Sequence, residues 1–250
     1  PLLRRLVVAA YSAGELSDGL VDATLLEEIE RLGYVESLRP GTGPGLVPAT
    51  ERAPAGPNPE ARWRSLAVDE EAGLILRPAG VKLDSGGIAK GLLADLVAER
   101  LAGAQAFAVD CCGDIRFGGR GGRARRLRVE DPFGGDPVHE FSLPEGAVAT
   151  SGISRRTWLG PGAEPAHQIL DPATGQPART GIVQATALAP SALQAEFFAK
   201  AGLLSGPEGA AARLPFGGVL VLAPGEVEVV AARSELPAAA AAGGTEGASA

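Results

Sequence analysis

Val81-Lys82-Leu83-Asp84-Ser85-Gly86-Gly87-Ile88-Ala89-Lys90-Gly91 is the stretch from which the rest of the chain can be placed. An apolar run meets an acid and two glycines, and a helical pattern follows. Ile88, Leu92, Leu93, Leu96 and Val97 recur at three- and four-residue spacings, continuing to Leu101. Asp84 or Ser85 stands where an N-cap belongs. A strand end, a tight glycine turn and a helix N-terminus leave unpaired backbone N–H groups facing a ligand. The helix dipole favours an anion there by about 0.3–2 kcal/mol, and Lys90 adds a full positive charge on the first turn. Neither common phosphate loop has this spacing. Ala89 before Lys90 and Gly91 after it exclude a Walker loop, and the glycines of a dinucleotide fingerprint are missing. On its own a double glycine reads first as a packing turn. Asp84 and Lys90 on either side shift the reading toward an anion site.

The 250 residues, 45% of them hydrophobic, suffice for a full core within one domain. With 30 acidic against 23 basic residues, the net charge of −7 offers no domain-wide basic excess, so no nucleic-acid partner is expected. The one local basic cluster, six arginines within residues 116–128, reads as a solvated hairpin. No run approaches the length of a transmembrane segment. The chain starts at Pro1 and contains no Met, so its native start is expected to be missing or processed. That leaves the compartment, cell envelope or cytoplasm, open. Cys111 and Cys112 are adjacent, which suits neither a structural disulfide nor a zinc site. They are expected to be small buried thiols at a strand end.

Apolar spacing predicts helices over residues 2–14 and 25–32, the second stopped by Gly33. Residues 40–59 turn to Gly, Pro and Ala and read as a long loop. Strands are expected at 63–68 and 74–77 about an acidic turn, then at 106–110, giving strand–helix–strand around the glycine turn. Short strands follow at 115–117, 127–129, 140–143, 147–149, 166–170 and 182–188. A helix over 192–204 begins at a Ser191 cap, and a last hairpin joins 219–222 to 227–230 through Pro224-Gly225. Residues 236–250 offer little to bury and are expected to be a disordered tail. Mixed helices with mostly antiparallel strands make the fold class α+β.

Two histidines are present. His139 follows a turn and reads as inert. His167 opens a strand ending in Asp171-Pro172 and lies downstream of Thr150-Ser151-Gly152. It is either a satisfied strand residue or a general base for a hydroxyl. Ser151 and Ser154 lack the Gly-x-Ser-x-Gly elbow of the common serine hydrolases. Glu196 and Lys200 stand four apart on one helix, either as a surface pair or with Glu196 as a hard oxygen ligand to a divalent cation.

Several of these stretches, taken in order, resemble one family. Leu83-Asp84-Ser85-Gly86-Gly87-Ile88-Ala89-Lys90-Gly91 is similar to the glycine motif of the ApbE-type FAD:protein FMN transferases. Ser17-Asp18-Gly19-Leu20-Val21-Asp22-Ala23-Thr24 resembles that family's Gly-Ala-Phe-Asp-Pro-Thr segment. Val109-Asp110-Cys111-Cys112-Gly113-Asp114-Ile115 resembles its Asn-Ala-Gly-Gly-Asp-Ile stretch. Ala149-Thr150-Ser151-Gly152, His167-Gln168-Ile169-Leu170-Asp171-Pro172-Ala173-Thr174-Gly175 and Ala189-Pro190-Ser191 follow in the family's order. The resemblance implies a single ApbE-like, T-fold-like domain over residues 1–235, lacking the family's first strand region. It also implies transfer of the FMN half of FAD to a Thr or Ser hydroxyl of an acceptor protein, releasing AMP, with Mg²⁺. Carried over by position, Leu20, Val21, Asp22, Asp84, Gly86, Gly87 and Lys90 would contact FAD, and His167 would assist the attacking hydroxyl. Gly87, Glu196, Ala199 and Lys200 would surround the metal.

Three departures from the family pattern bear on that assignment. Flavin-contacting residues upstream of Ser12 have no counterpart here. Ala195-Glu196-Phe197-Phe198-Ala199-Lys200 stands where the family reads Ala-Asp-x-x-x-Thr, so a cation replaces a neutral oxygen ligand. Asp110, Cys111 and Cys112 replace Asn, Ala and Gly. An FAD pyrophosphatase, with water in place of the acceptor, and a flavin-binding protein without turnover are the alternative expectations.

Overall fold

A computed structural model describes residues 1–36, 45 and 52–236. Most of the expected loop's first half and the expected tail beyond Leu236 lie outside the described residues. The centre is a six-stranded sheet of β1 (Phe107–Cys111), β2 (Asp114–Gly118), β3 (Gly146–Gly152), β4 (Ile182–Ala189), β5 (Gly218–Leu222) and β6 (Val227–Val230). Spatial order follows chain order, and every neighbouring pair is antiparallel. The helices are α1 (Leu2–Leu16), α2 (Leu26–Arg31), α3 (Ala89–Leu101) and α4 (Ala192–Leu204). On one face of the sheet, α3 packs over β1 and β2 and α4 over β3 and β4, with α1 beyond them. This is the α+β architecture expected. Among the described residues no helix is long and apolar enough to cross a membrane.

All eight residues of β4 are buried, so both faces of the strand are covered. Its helix-facing side is small: Ala185, Ala187 and Ala189 meet Ala147 and Ala149 of β3 and Ala192, Ala195 and Ala199 of α4. Alanine at these positions lets the helix backbone sit close to the sheet, and the larger Leu203, Leu204 and Leu214 fill the space beyond. Each such leucine contributes about 1.5–3 kcal/mol on burial. On the opposite face Val148, Leu188 and Phe117 are covered by Leu127, Phe141 and Leu143 of the hairpin Arg125–Val129/His139–Leu143.

The two central helices brace each other end to end. Asp95 of α3 accepts the first N–H groups of α4, from Ala192 at 2.8 Å and Leu193 at 2.9 Å. Ser191 Oγ accepts from Gln194 N at 3.2 Å, the cap read from the sequence. In return Glu196 of α4 accepts the N–H of Gly91 in the first turn of α3, at 2.8 Å. Gly91 makes this contact possible, because a Cβ there would collide with the carbonyl of Ala192. In an exposed helix Gly→Ala stabilises by about 1 kcal/mol. Here Gly91→Ala is expected to destabilise by about 1–3 kcal/mol through overpacking, measured as a shift in the urea midpoint.

Several local expectations are corrected. α3 begins at Ala89 behind Ile88, without a side-chain cap, rather than at Asp84 or Ser85. Asp84 instead accepts from Gly86 N at 2.9 Å, fixing the turn itself. The buried face of α3 is Gly91, Leu92, Ala94 and Ala98, whereas Leu93 and Val97 are exposed, because close helix packing selects small side chains over large ones. Residues 81–83 join no sheet, so the glycine turn lies between an extended segment and a helix. Trp63 sits in the 3-10 turn Arg62–Ser65 with its ring against Gly14, not in a strand. The expected strand at 166–170 is broken: Pro165–His167 pairs with Thr157–Leu159, and Leu170–Asp171 pairs with Gln176–Pro177. Cys111 is half-buried at the end of β1, but Cys112 is exposed, because it turns the chain with φ +57°. Arg116 stands apart from the arginine hairpin, on β2 near Asp95 and Glu145.

Candidate active site

Asp18 and Gly19 reverse the chain after α1 with φ of +54° and +83°, and Ser17 Oγ holds the turn by accepting from Val21 N at 2.9 Å. The next residues point to different places. Leu20 and Asp22 line a narrow cleft of about 30 Å³ together with Asp84, Gln168 and Lys200. The Val21 side chain is buried in the core with Trp63, Ile88 and Phe197, so a ligand contact there falls to its backbone. Asp22 Oδ1 accepts from Thr24 N at 2.8 Å and from Thr24 Oγ1 at 2.6 Å. Its Oδ2 is buried without a hydrogen-bond partner. Burial pushes the Asp22 carboxyl above its usual range, with the Thr24 hydrogen bonds opposing.

Opposite Asp22, α4 sends Lys200 across to the glycine turn. A Cβ at Gly87 would collide with Lys200 Nζ and stand 2.8 Å from its Cε, so the glycine leaves the space in which the ammonium lies. Lys200 is half-buried. Among the described residues no carboxylate lies within salt-bridge distance of it.

Lys90 is differently placed. Its ammonium donates to Asp114 Oδ2 at 2.7 Å and lies 3.9 Å from Glu196 Oε1. Asp114 and Glu196 are almost fully buried, so this is an enclosed cluster of two carboxyls and one cation rather than the surface pair that Glu196 and Lys200 suggested. Burial, then the charge of Asp114, pushes the Glu196 carboxyl up to about 7, against Lys90, the Gly91 N–H and Lys200. Burial also raises Asp114, with Lys90 opposing. Asp114 and Asp95 were not singled out as site residues in the sequence. The Gly113-Asp114-Ile115 run was the signal for the first, and the second carried none.

His167 closes the strand Pro165–His167 and lines a separate cavity of about 390 Å³ with Ile153, Phe133, Arg179 and Thr180. Gln168, the next residue, lines the Lys200 cleft, so this segment is the wall shared by both spaces. His167 Nε2 lies 3.1 Å from the carbonyl of Ala178, which can only accept, so the proton is on Nε2. Nδ1 is buried and has no hydrogen-bond partner. Burial lowers the His167 pKa to about 4, with the Ala178 carbonyl opposing and Arg179 adding to the depression.

This depression predicts an acid response. The unfolded chain binds the His167 proton more tightly than the folded one, so the neutral ring supports the fold fully above about pH 6.5 and ceases to as pH falls toward about 4. His167→Gln is therefore expected to retain about 3 kcal/mol that the parent loses between those values, seen by comparing urea unfolding at pH 7 and pH 4.5.

The residues expected around Mg²⁺ are a poor set for it. Ala199 is fully buried and offers only backbone. Glu196 already accepts from Gly91 and faces Lys90. Lys200 has three donors and no acceptor, and its ammonium stands against Gly87, where the ion would need oxygen. Mg²⁺ asks for about six oxygen ligands in octahedral array. Among the described residues no group of three or more His, Cys, Asp or Glu side chains is placed to hold a metal. The donor set does not fit a divalent cation.

The fold has known counterparts. An FAD:protein FMN transferase of Treponema pallidum is 35% identical over 153 residues, 56% of this chain and 42% of that protein. The crystal structure of the ApbE protein of Thermotoga maritima superposes with a TM-score of 0.73 at 27% identity, covering 92% of this chain and 75% of that one. The apo flavinyl transferase ApbE of Pseudomonas stutzeri gives 0.68 at 25% identity, over 92% and 73%. The chain spans about half the length of the curated relatives it matches, from 42% to 57%. A model built for the ApbE family matches residues 1–217, a span that holds the cleft, the buried carboxyl cluster and His167 alike. By that match the chain belongs to the ApbE family.

Proposed function

We propose that this chain transfers the FMN moiety of FAD to a Thr or Ser hydroxyl of an acceptor protein and releases AMP. The observation that carries the reading is the placement of two unmatched groups on one wall. The partnerless Nδ1 of His167 is on one side, and the ammonium of Lys200 beside Gly87 is on the other. Names borne by its relatives, and their shared fold, support the same reaction.

In this reading the FAD diphosphate lies at the cleft of Leu20, Asp22, Asp84 and Lys200, where the Gly86-Gly87 turn allows close approach of backbone. The acceptor hydroxyl reaches His167 through the larger cavity. Its oxygen forms a bond to the FMN phosphorus as the bond from that phosphorus to the bridging oxygen breaks. The hydroxyl proton passes to His167 Nδ1, and AMP departs with the electron pair. Lys90 does not contact the diphosphate here, because Asp114 and Glu196 occupy it; its part is to hold the end of α3 in place.

The test is flavin fluorescence on the denatured acceptor after incubation with FAD. A fluorescent acceptor band with stoichiometric AMP is expected. Free FMN and AMP with a dark band would instead make the protein an FAD pyrophosphatase, and bound, intact FAD would make it a flavin-binding protein.

A further inference from the structure

We infer that Lys200 takes the place of a divalent cation in this chain, so that its ammonium neutralises the FAD diphosphate and both FAD binding and FMN transfer proceed without Mg²⁺. The inference rests on the transferase reading above and adds to it the identity of the charge that the reaction uses.

Three observations carry it. Lys200 Nζ lies against Gly87, in space that a Cβ would fill, so the ammonium lies at the glycine turn itself. Among the described residues no carboxylate lies within salt-bridge distance of it, whereas the other lysine near the turn, Lys90, is held by Asp114 at 2.7 Å. Third, the ammonium lines the same cleft as Asp22 and Asp84 without pairing with either. A divalent ion placed beside it would be repelled by a like charge.

Chemically the replacement is sound. Transfer needs the negative charge on the diphosphate oxygens to be compensated while the bridging bond breaks, and preorganised donors do this without a metal. An ammonium on a helix that is anchored at its start by Ser191 and Asp95 is preorganised in this sense. Lys200 donates hydrogen bonds only and exchanges no proton with the leaving AMP, so the balance of the reaction is unchanged.

The test separates this inference from the reading beneath it. FAD binding to the full chain is titrated by quenching of flavin fluorescence, once with excess EDTA and once with Mg²⁺. Equal affinity in both is expected. Lys200→Met should weaken FAD about 10–100-fold in either buffer, the loss of a charge-assisted hydrogen bond. Lys200→Thr should weaken it in EDTA and recover in Mg²⁺, and should bind Mn²⁺ by electron paramagnetic resonance where the parent does not. Circular dichroism and thermal unfolding confirm that each variant is folded. Binding by the parent that appears only with Mg²⁺, or Mn²⁺ bound by the parent, would overturn the inference and leave the transferase reading standing. No FAD binding by the parent in either buffer would overturn both.

Discussion

His167→Ala is expected to lower FMN transfer by about 10²–10⁴-fold, the range for losing a general base, while FAD affinity stays within error of the parent. The split follows from where the ring lies. Its Nδ1 is buried without a partner, and the residue lines the 390 Å³ cavity rather than the Lys200 cleft. Removing it takes nothing from the diphosphate side, so the loss falls on kcat and not on the FAD dissociation constant. A pH profile sharpens the test. In the free protein, burial lowers the ring to about 4, which makes it a weak base. A bound diphosphate brings negative charge nearby, which favours the imidazolium and raises this value. The acid limb of kcat, which reports the complex, is therefore expected at higher pH than that of kcat/KM, which reports the free enzyme. Coincident limbs, or a variant that keeps most of its transfer rate, would remove His167 from the reaction. Thermal unfolding of the variant at each pH separates loss of the base from loss of the fold.

What the sequence disclosed and what it concealed divide along a physical line. The hairpin of β5 and β6 and the start of α4 rest on local chemistry, Pro224-Gly225 in one case and the Ser191 cap in the other, and both were legible. The buried face of α3 was not. Hydropathy marks Leu93 and Val97 as core, yet packing at Gly91 and Ala94 excludes large side chains, and glycine and alanine carry little hydropathy signal. His167 and Glu196 could be picked out by residue type, and the ordered resemblance added weight, but their surroundings depend on chain-distant partners. Asp95 looked like one more solvated acid on a helix. It is the cap of a helix whose first residue lies 97 positions away. The placements of the two lysines were the hardest to foresee. Spacing puts Lys90 next to the glycine turn and Lys200 on a remote helix. The crossing of α3 and α4 then turns Lys90 toward Asp114 and carries Lys200 to Gly87.

That exchange makes Lys90 a stability residue, and its replacement is the second large effect expected. Lys90→Met leaves Asp114 and Glu196 facing each other in the interior with no cation between them. Asp114 is 1% exposed and Glu196 3%, so solvent does little to screen either. Breaking a buried ion pair by removing one partner costs about 3–5 kcal/mol, mostly the penalty of the charge left behind. Lys90 itself is partly exposed, which places the expected loss near the lower end, at about 3 kcal/mol in urea unfolding at pH 7. The double variant Lys90→Met/Asp114→Asn tests the cause. Removing the stranded charge should recover a large part of the loss, giving a coupling of about 1–3 kcal/mol in the double-mutant cycle. Additive losses would mean that Lys90 acts through its stem or through a ligand rather than through Asp114. If FAD instead contacts Lys90 directly, the single variant would weaken FAD binding while leaving the urea midpoint in place. The arrangement of Asp114, Glu196 and Gly91 around this ammonium predicts the reverse, a shifted midpoint with the Lys200 cleft still able to bind.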